Sequence, residues 1–352
     1  MASVNAQTKG FTYYDEEETL VKEVYLIENG TPHGPYEFYD EQGALIQKGL
    51  LVHGEKQGVF VHFFPGTTDT LRLLNYERNQ RVGEAITFYK SGAIAQRASF
   101  TADQLTGPST SYFEDGAIKN RTQFRENLPH GTFEAFHPNG NPSERSLYLM
   151  GKLHGEQLKF DENGNLSEKN TFIAGLLSGP QHTYYEDGEL ATEIHYRKGV
   201  KHGLSRSYYP DGSLEKTGTF KRGLPHGTFL TYWEDGSLEE QSKFKNGRPR
   251  GQIISYHENG AVAVIRHHSA KGYTLLTETF DELGNKIQEA PYSDGLLHGE
   301  TVNYYPDGQV KERIPYSYGE LHGQYVSFSA EGELRIERNY LRGRKTKEKI
   351  YN

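Results

Sequence analysis

The chain has 352 residues, a net charge of −8 and only 34% hydrophobic residues, yet it carries 25 Tyr, 18 Phe and 39 Gly. Basic and acidic residues alternate along it, which argues against a nucleic-acid surface or strong attraction to anionic lipid, both of which need clustered Lys and Arg. It has no cysteine, so disulfides, thiol catalysis and Cys-ligated zinc are excluded, and no apolar run approaches the ~18–20 residues of a membrane-spanning helix.

The opening stretch, MASVNAQTKG, places Val4-Asn5-Ala6 before Gln7, the small-residue pattern that precedes signal-peptidase cleavage. No charged segment or apolar h-region accompanies it. The expectation is an exported protein read from near its mature start, in a bacterial periplasm or on the cell surface, with the cytoplasm as the alternative. Residues 1–29, which include FTYYDEEETLVKEVYLIEN, read as half a repeat that caps a longer array.

From Gly34 the chain repeats itself. A glycine, often preceded by histidine, recurs at Gly107, Gly131, Gly155, Gly179, Gly203, Gly227 and Gly251, 24 residues apart each time. Gly34, Gly58 and Gly83 lead into the series, and Gly299 and Gly323 close it after one skipped position at Leu275. About thirteen units cover residues 30–346, and 347–352 are left as a C-terminal tail. Five residues past each glycine stands an aromatic, as at Tyr208; nine past stands a turn glycine, as in Pro210-Asp211-Gly212. Eleven past is usually aliphatic (Leu214) and seventeen past is mostly aromatic (Phe220).

These spacings specify a β-hairpin. The x-Asp/Asn-Gly triplet fits a three-residue loop, a type I turn closed by a glycine at positive φ. Counting back from that turn puts Tyr208, Leu214 and Phe220 on one face, with His202 opposite Phe220. Four residues before each repeat glycine comes Gly, Asn or Asp, the residues that tolerate a left-handed backbone at a second turn. Lys271 breaks this rule in the unit that also lost its repeat glycine, so the hairpin near 264–287 is expected to be irregular. The predicted fold is all-β: an elongated single-layer antiparallel sheet, a solenoid of about thirteen 24-residue hairpins, some 120 Å long at ~4.8 Å per strand.

The pattern G-x-x-H-G-x-x-x-x-Y-Y-x-D-G-x-L, seen in GVKHGLSRSYYPDGSL and GLLHGETVNYYPDGQV, resembles the bacterial MORN repeat variant. The resemblance implies an extended sheet of repeated hairpins without catalytic residues. It also implies a scaffold role, or that of an antitoxin, which is how members of the family are often described.

The histidines of the His-Gly pairs lie one per hairpin, about 9–10 Å apart, too far to converge on a metal ion at ~2 Å. They are expected to pack and to hydrogen-bond a neighbouring turn, and no metal or cofactor is expected. No nucleophile elbow, phosphate loop or His-Glu-x-x-His motif is present, so an enzyme is not expected. The candidate partner-binding row lies six residues past each repeat glycine: Phe64, Tyr89, Phe113, Tyr185, Tyr209, Trp233 and Tyr305. Rows of Tyr and Trp anchor protein interfaces and also stack sugars; their competing use is to shield the hairpin turns. His267, His268 and Tyr273, in the irregular unit, complete the candidates, because departures from a repeat are where binding loops arise. The function expected is a non-enzymatic scaffold for protein partners, an accessory subunit of a bacterial cell-envelope assembly. An antitoxin neutralising a toxin and a carbohydrate-binding surface protein are the alternatives, and no nucleic acid is expected as a partner.

Overall fold

The computed structural model describes residues 8–351, so the Val4-Asn5-Ala6 pattern lies outside the described residues. Among the described residues all regular structure is β, and no helix is long and apolar enough to cross a membrane. The chain divides into two units, Met1–Leu176 and Leu177–Asn352. Within each, antiparallel strands pair with their neighbours in sequence, forming a single layer.

Two turn types alternate along each unit. The first is the expected one: the Tyr209 N–H donates to the Ser213 carbonyl at 2.9 Å, the Gly212 N–H to the Tyr209 carbonyl at 2.9 Å, and Gly212 sits at φ 82°. The Asp of the triplet holds this turn by accepting from the backbone two residues on, as Asp211 does from Ser213 at 2.9 Å. The second is a two-residue type I′ turn, for instance Lys198-Gly199 at φ 52° and 78° between Arg197 and Val200. Both of its residues are left-handed, which explains the Gly/Asn/Asp column.

The register departs from the sequence expectation by one residue. Tyr208 pairs with Leu214 as predicted, but Ser207 then pairs with Lys216, so Glu215 is an extra, bulged residue. Phe220 consequently lies opposite Gly203 rather than His202. Because side chains alternate along a strand, one inserted residue moves everything beyond it to the other face. Tyr208 and Leu214 therefore share one face, and Phe220 is carried to the opposite one.

That opposite face is the better buried, and its centre is a file the sequence pattern does not mark. Most of the buried residues lie two or fifteen past a repeat glycine: Phe60, Ser109, Ser146, Gln157, Asn170 and Phe229 are all under 9% exposed. Phe60 is fully buried, with the Tyr76 ring edge-on at 5.0 Å and Tyr36 at 6.0 Å. Phe229 lies edge-on between Phe220 and Phe244 at 5.5 and 5.3 Å. Each large ring faces a glycine on the preceding strand: a Cβ at Gly49 would come within 2.6 Å of Phe60, and one at Gly218 closer still to Phe229. Where the file turns polar between Ser146 and Asn170, its members hydrogen-bond one another or a neighbouring carboxylate, while the buried Thr301 hydroxyl further on has no partner. Ser146 and Gln157 both donate to the Glu144 carboxylate, at 2.9 and 2.7 Å, and Asn170 donates to Gln157 at 3.0 Å.

Residues 8–28 form a whole hairpin, Thr8–Tyr13 paired with Val21–Glu28. At the other end the strand Arg344–Ile350 pairs with Leu334–Leu341 and runs through the boundary expected at 346/347. In the irregular unit, Val262–His268 and Thr274–Phe280 are joined not by a type I′ turn but by a copy of the Asp-Gly type. The Ser269 N–H donates to the Tyr273 carbonyl at 2.8 Å and the Gly272 N–H to the Ser269 carbonyl at 3.0 Å. Loss of both the repeat glycine and the left-handed residue at 271 is thus one event, the exchange of one turn for the other.

Candidate interaction surface

The aromatic row six past each repeat glycine stands at the Asp-Gly turns, and each polar member but Trp233 bonds to the next hairpin. The Tyr89, Tyr185, Tyr209 and Tyr305 hydroxyls donate to the carbonyls of Tyr112, Tyr208, Tyr232 and Phe328, at 2.7, 2.6, 2.7 and 3.0 Å. His137 and His257, which interrupt the row in sequence, donate from Nε2 to the Phe160 and Phe280 carbonyls at 3.0 Å each. Tyr14 does the same for the first hairpin, to Tyr39 at 2.8 Å. Phe64 and Phe113 keep the ring without the donor, with Lys119 Nζ 5.8 Å from the Phe113 ring centre. The Trp233 Nε1–H is buried and meets no acceptor. All seven candidates are half-buried. Partial burial first, then the Glu215 carboxylate, pushes the Tyr209 hydroxyl above the ordinary tyrosine range.

The other edge is stitched in the same sense. His130, His202 and His298 accept through Nδ1 from the N–H of Met150, Arg222 and Tyr318, the first residue of the next type I′ turn, at 3.4–3.5 Å. Ser178 and Gln57 stand in for the imidazole, accepting from Lys198 and Arg78 at 3.2 and 3.3 Å. The second turn N–H goes to a backbone carbonyl of the preceding hairpin, as from Gly223 to Lys201 at 2.8 Å. These three histidines therefore cap turns, whereas His226 Nδ1 is buried without a partner. Where the turn glycine is replaced, the substitute closes a further bond: Asn79 and Asn127 accept from the Lys56 and Leu105 N–H at 2.7 and 2.8 Å.

The irregular unit gathers a different set. His267 Nε2 lies 2.8 Å from Glu278 Oε2, and Lys286 Nζ bonds the other carboxylate oxygen. Hydrogen bonds from Lys286 and then His267 hold the Glu278 carboxyl below the usual carboxylate range. His268, the next residue along the strand, points to the opposite face, and its Nδ1 is buried without a partner. Tyr273 is half exposed beside the exchanged turn.

What remains exposed are the columns that vary from unit to unit. On the Tyr208 face, cross-strand ion pairs recur at equivalent positions: Arg97–Glu84 at 2.9 Å, Lys169–Glu156 at 2.7 Å and Arg313–Glu300 at 3.2 Å. Such exposed, solvent-screened pairs contribute little to stability, so they label the surface more than they stabilise it. Sequence reasoning missed this division because it put the aromatic columns five and seventeen past the glycine on one apolar face and left the row six past as either interface or turn shield. The signal available to it was the mixed, small-residue column two and fifteen past the glycine, whose burial is decided by the bulge.

The MORN repeat variant family model matches residues 129–149, 153–174, 177–198, 201–222, 225–246 and 297–318. No curated protein sequence matches the chain. Among solved structures, a crystal structure of TcdB2-TccC3 aligns with 96% of this chain and 23% of its own, at 10% identity and a TM-score of 0.18. The Photorhabdus luminescens Tc holotoxin pore with the TccC3-D651A mutation aligns over 97% and 18%, at 12% identity and a TM-score of 0.17. The chain spans under a quarter of the length of either, and the likeness is too slight to transfer an activity.

Proposed function

We propose that this MORN-repeat chain is a non-enzymatic scaffold that binds protein partners along its sheet, as an exported accessory subunit of a bacterial cell-envelope assembly. The observation that carries the scaffold reading is the stitching. Turn N–H groups, phenols and imidazoles at both edges are engaged by neighbouring hairpins, which holds the variable side chains at a fixed pitch. A rigid ladder of this kind binds by many modest contacts and loses little conformational entropy on doing so. The export part rests on Val4-Asn5-Ala6 alone.

Crosslinked affinity purification from native cells, with fractionation and N-terminal sequencing of the native chain, tests the proposal. Stoichiometric recovery of several envelope proteins with a periplasmic or surface-located chain is the expected result. Recovery of one small protein that is lethal without this chain would replace the scaffold by an antitoxin. A glycan signal lost in Trp233→Ala, with no protein partner, would replace it by a carbohydrate-binding role.

A further inference from the structure

Charges that alternate along the sequence are sorted by the fold. Across residues 187–250, the Asp-Gly turns carry Asp187, Asp211 and Asp235, while the type I′ turns carry Arg197, Lys198, Lys221, Arg222, Lys245 and Arg248. The two sets are separated by a strand of at least 8 residues, roughly 26 Å at ~3.3 Å per residue. Segments 196–202, 220–226 and 244–250 contain no Asp or Glu at all. None of the six cations has a carboxylate partner among the described residues, and all six are exposed.

Two hollows open on this edge. One is lined by Arg197, Lys198, Val200, His202 and Arg222. The other, of about 360 Å³, is lined by His226, Lys243, Phe244, Lys245 and Arg250 among others. In the second, Arg250 Nε and His226 Nδ1 are both buried without a hydrogen-bond partner, a donor and a titratable nitrogen on the walls of one hollow. Aliphatic side chains stand among the cations: Val200 is 45% exposed and Leu224 48%.

We infer that this basic turn edge is a docking site for an acidic polypeptide segment, with Asp or Glu at every third residue and aliphatic residues between. Equivalent cations on successive hairpins lie two strands apart, about 9.6 Å. A polyproline-II segment turns once every three residues and rises about 9.3 Å in doing so, so one carboxylate meets each hairpin and the intervening residues meet Val200 and Leu224. A turn of the Arg250 side chain would let its buried, unpartnered Nε donate to a carboxylate in the second hollow. The exposed aliphatics favour a polypeptide over a polyphosphate chain, which has nothing to lay against them.

The inference rests on the scaffold reading and specifies one class of partner for it. Fluorescence anisotropy of the full chain with a labelled (Glu-Leu-Pro)4 peptide at about 50 mM salt reads it directly. Saturable binding is expected, at least tenfold weaker in Arg222→Glu/Lys245→Glu and at least threefold weaker for a peptide of the same composition with its glutamates in one block. Arg250→Gln, which leaves the turns untouched, is expected to weaken binding several-fold; circular dichroism verifies that the variants are folded. Equal binding by wild type and the double variant overturns the inference, as does indifference to glutamate spacing. Binding of phosphatidylserine vesicles or oligo-dT at equal strength, with the same loss in the variants, also overturns it by showing a generic anion surface. If the double variant still recovers its cellular partners in full, this site fails while the scaffold stands.

Discussion

The packing of Phe229 against Gly218 can be tested as a pair. A Cβ at residue 218 would lie well inside contact distance of the Phe229 ring, and that ring is held on both sides by Phe220 and Phe244. Gly218→Ala therefore overpacks the site and is expected to destabilise by about 1–3 kcal/mol, despite the ~0.5–1 kcal/mol that alanine gains over glycine within a strand. Phe229→Ala empties the same space and is expected to cost about 3 kcal/mol, the low end for Phe→Ala because the ring keeps some exposure. In the Phe229→Ala background the obstruction is gone, so adding Gly218→Ala becomes neutral or stabilising. The coupling energy is then about 2 kcal/mol. Trp233, the only tryptophan, ends the same hairpin and reports its unfolding in urea by fluorescence, which matters because a repeat array need not unfold in one step. Additivity within about 0.5 kcal/mol, or a Gly218→Ala single variant as stable as wild type, would refute this packing account.

The stitched edge and the irregular unit give two further outcomes. Tyr209→Phe removes the bond to the Tyr232 carbonyl and is expected to loosen the hairpin, seen as faster amide exchange in strand Gly227–Tyr232; unchanged exchange would free that hydroxyl for partner binding. At Glu278 the folded carboxyl titrates below its unfolded value of about 4.3, so its ion pair contributes fully above that pH and fades as pH falls through the folded value. Wild type should therefore lose urea resistance between about pH 5 and 3 more steeply than Glu278→Gln, and parallel profiles would show the pair contributes nothing.

The repeat, both turn positions and the left-handed column were legible because each is set by local backbone geometry. Asp211-Gly212 and Lys198-Gly199 need little more than their own residues to declare a turn. The face assignment of Phe220 was not legible, because it depends on Glu215 bulging, and no residue type at 215 announces that. One inserted residue then hid the most buried file, whose members range from Phe60 to Asn170. The uses of the candidate row were legible only as alternatives. A tyrosine at 209 looks the same in sequence whether its hydroxyl meets a partner or the Tyr232 carbonyl.

Specificity in a chain of this kind resides where its hairpins differ. Positions that recur across many hairpins are those one hairpin uses toward the next: the donor at Tyr209 or His257, the acceptor at His202 or Gln57, the left-handed turn residue. A partner that recognised only those would read every unit alike. Discrimination must come from what changes between units, and the changes cluster. The type I′ turns of Met1–Leu176 mix signs, with Glu77 beside Arg78 and Arg125 beside Glu126, whereas those at 198, 222 and 246 carry no acidic residue. On the docking proposal, three consecutive repeats whose type I′ turns share one sign give a periodic scaffold its address, and those charges lie outside the bonds that hold the ladder together.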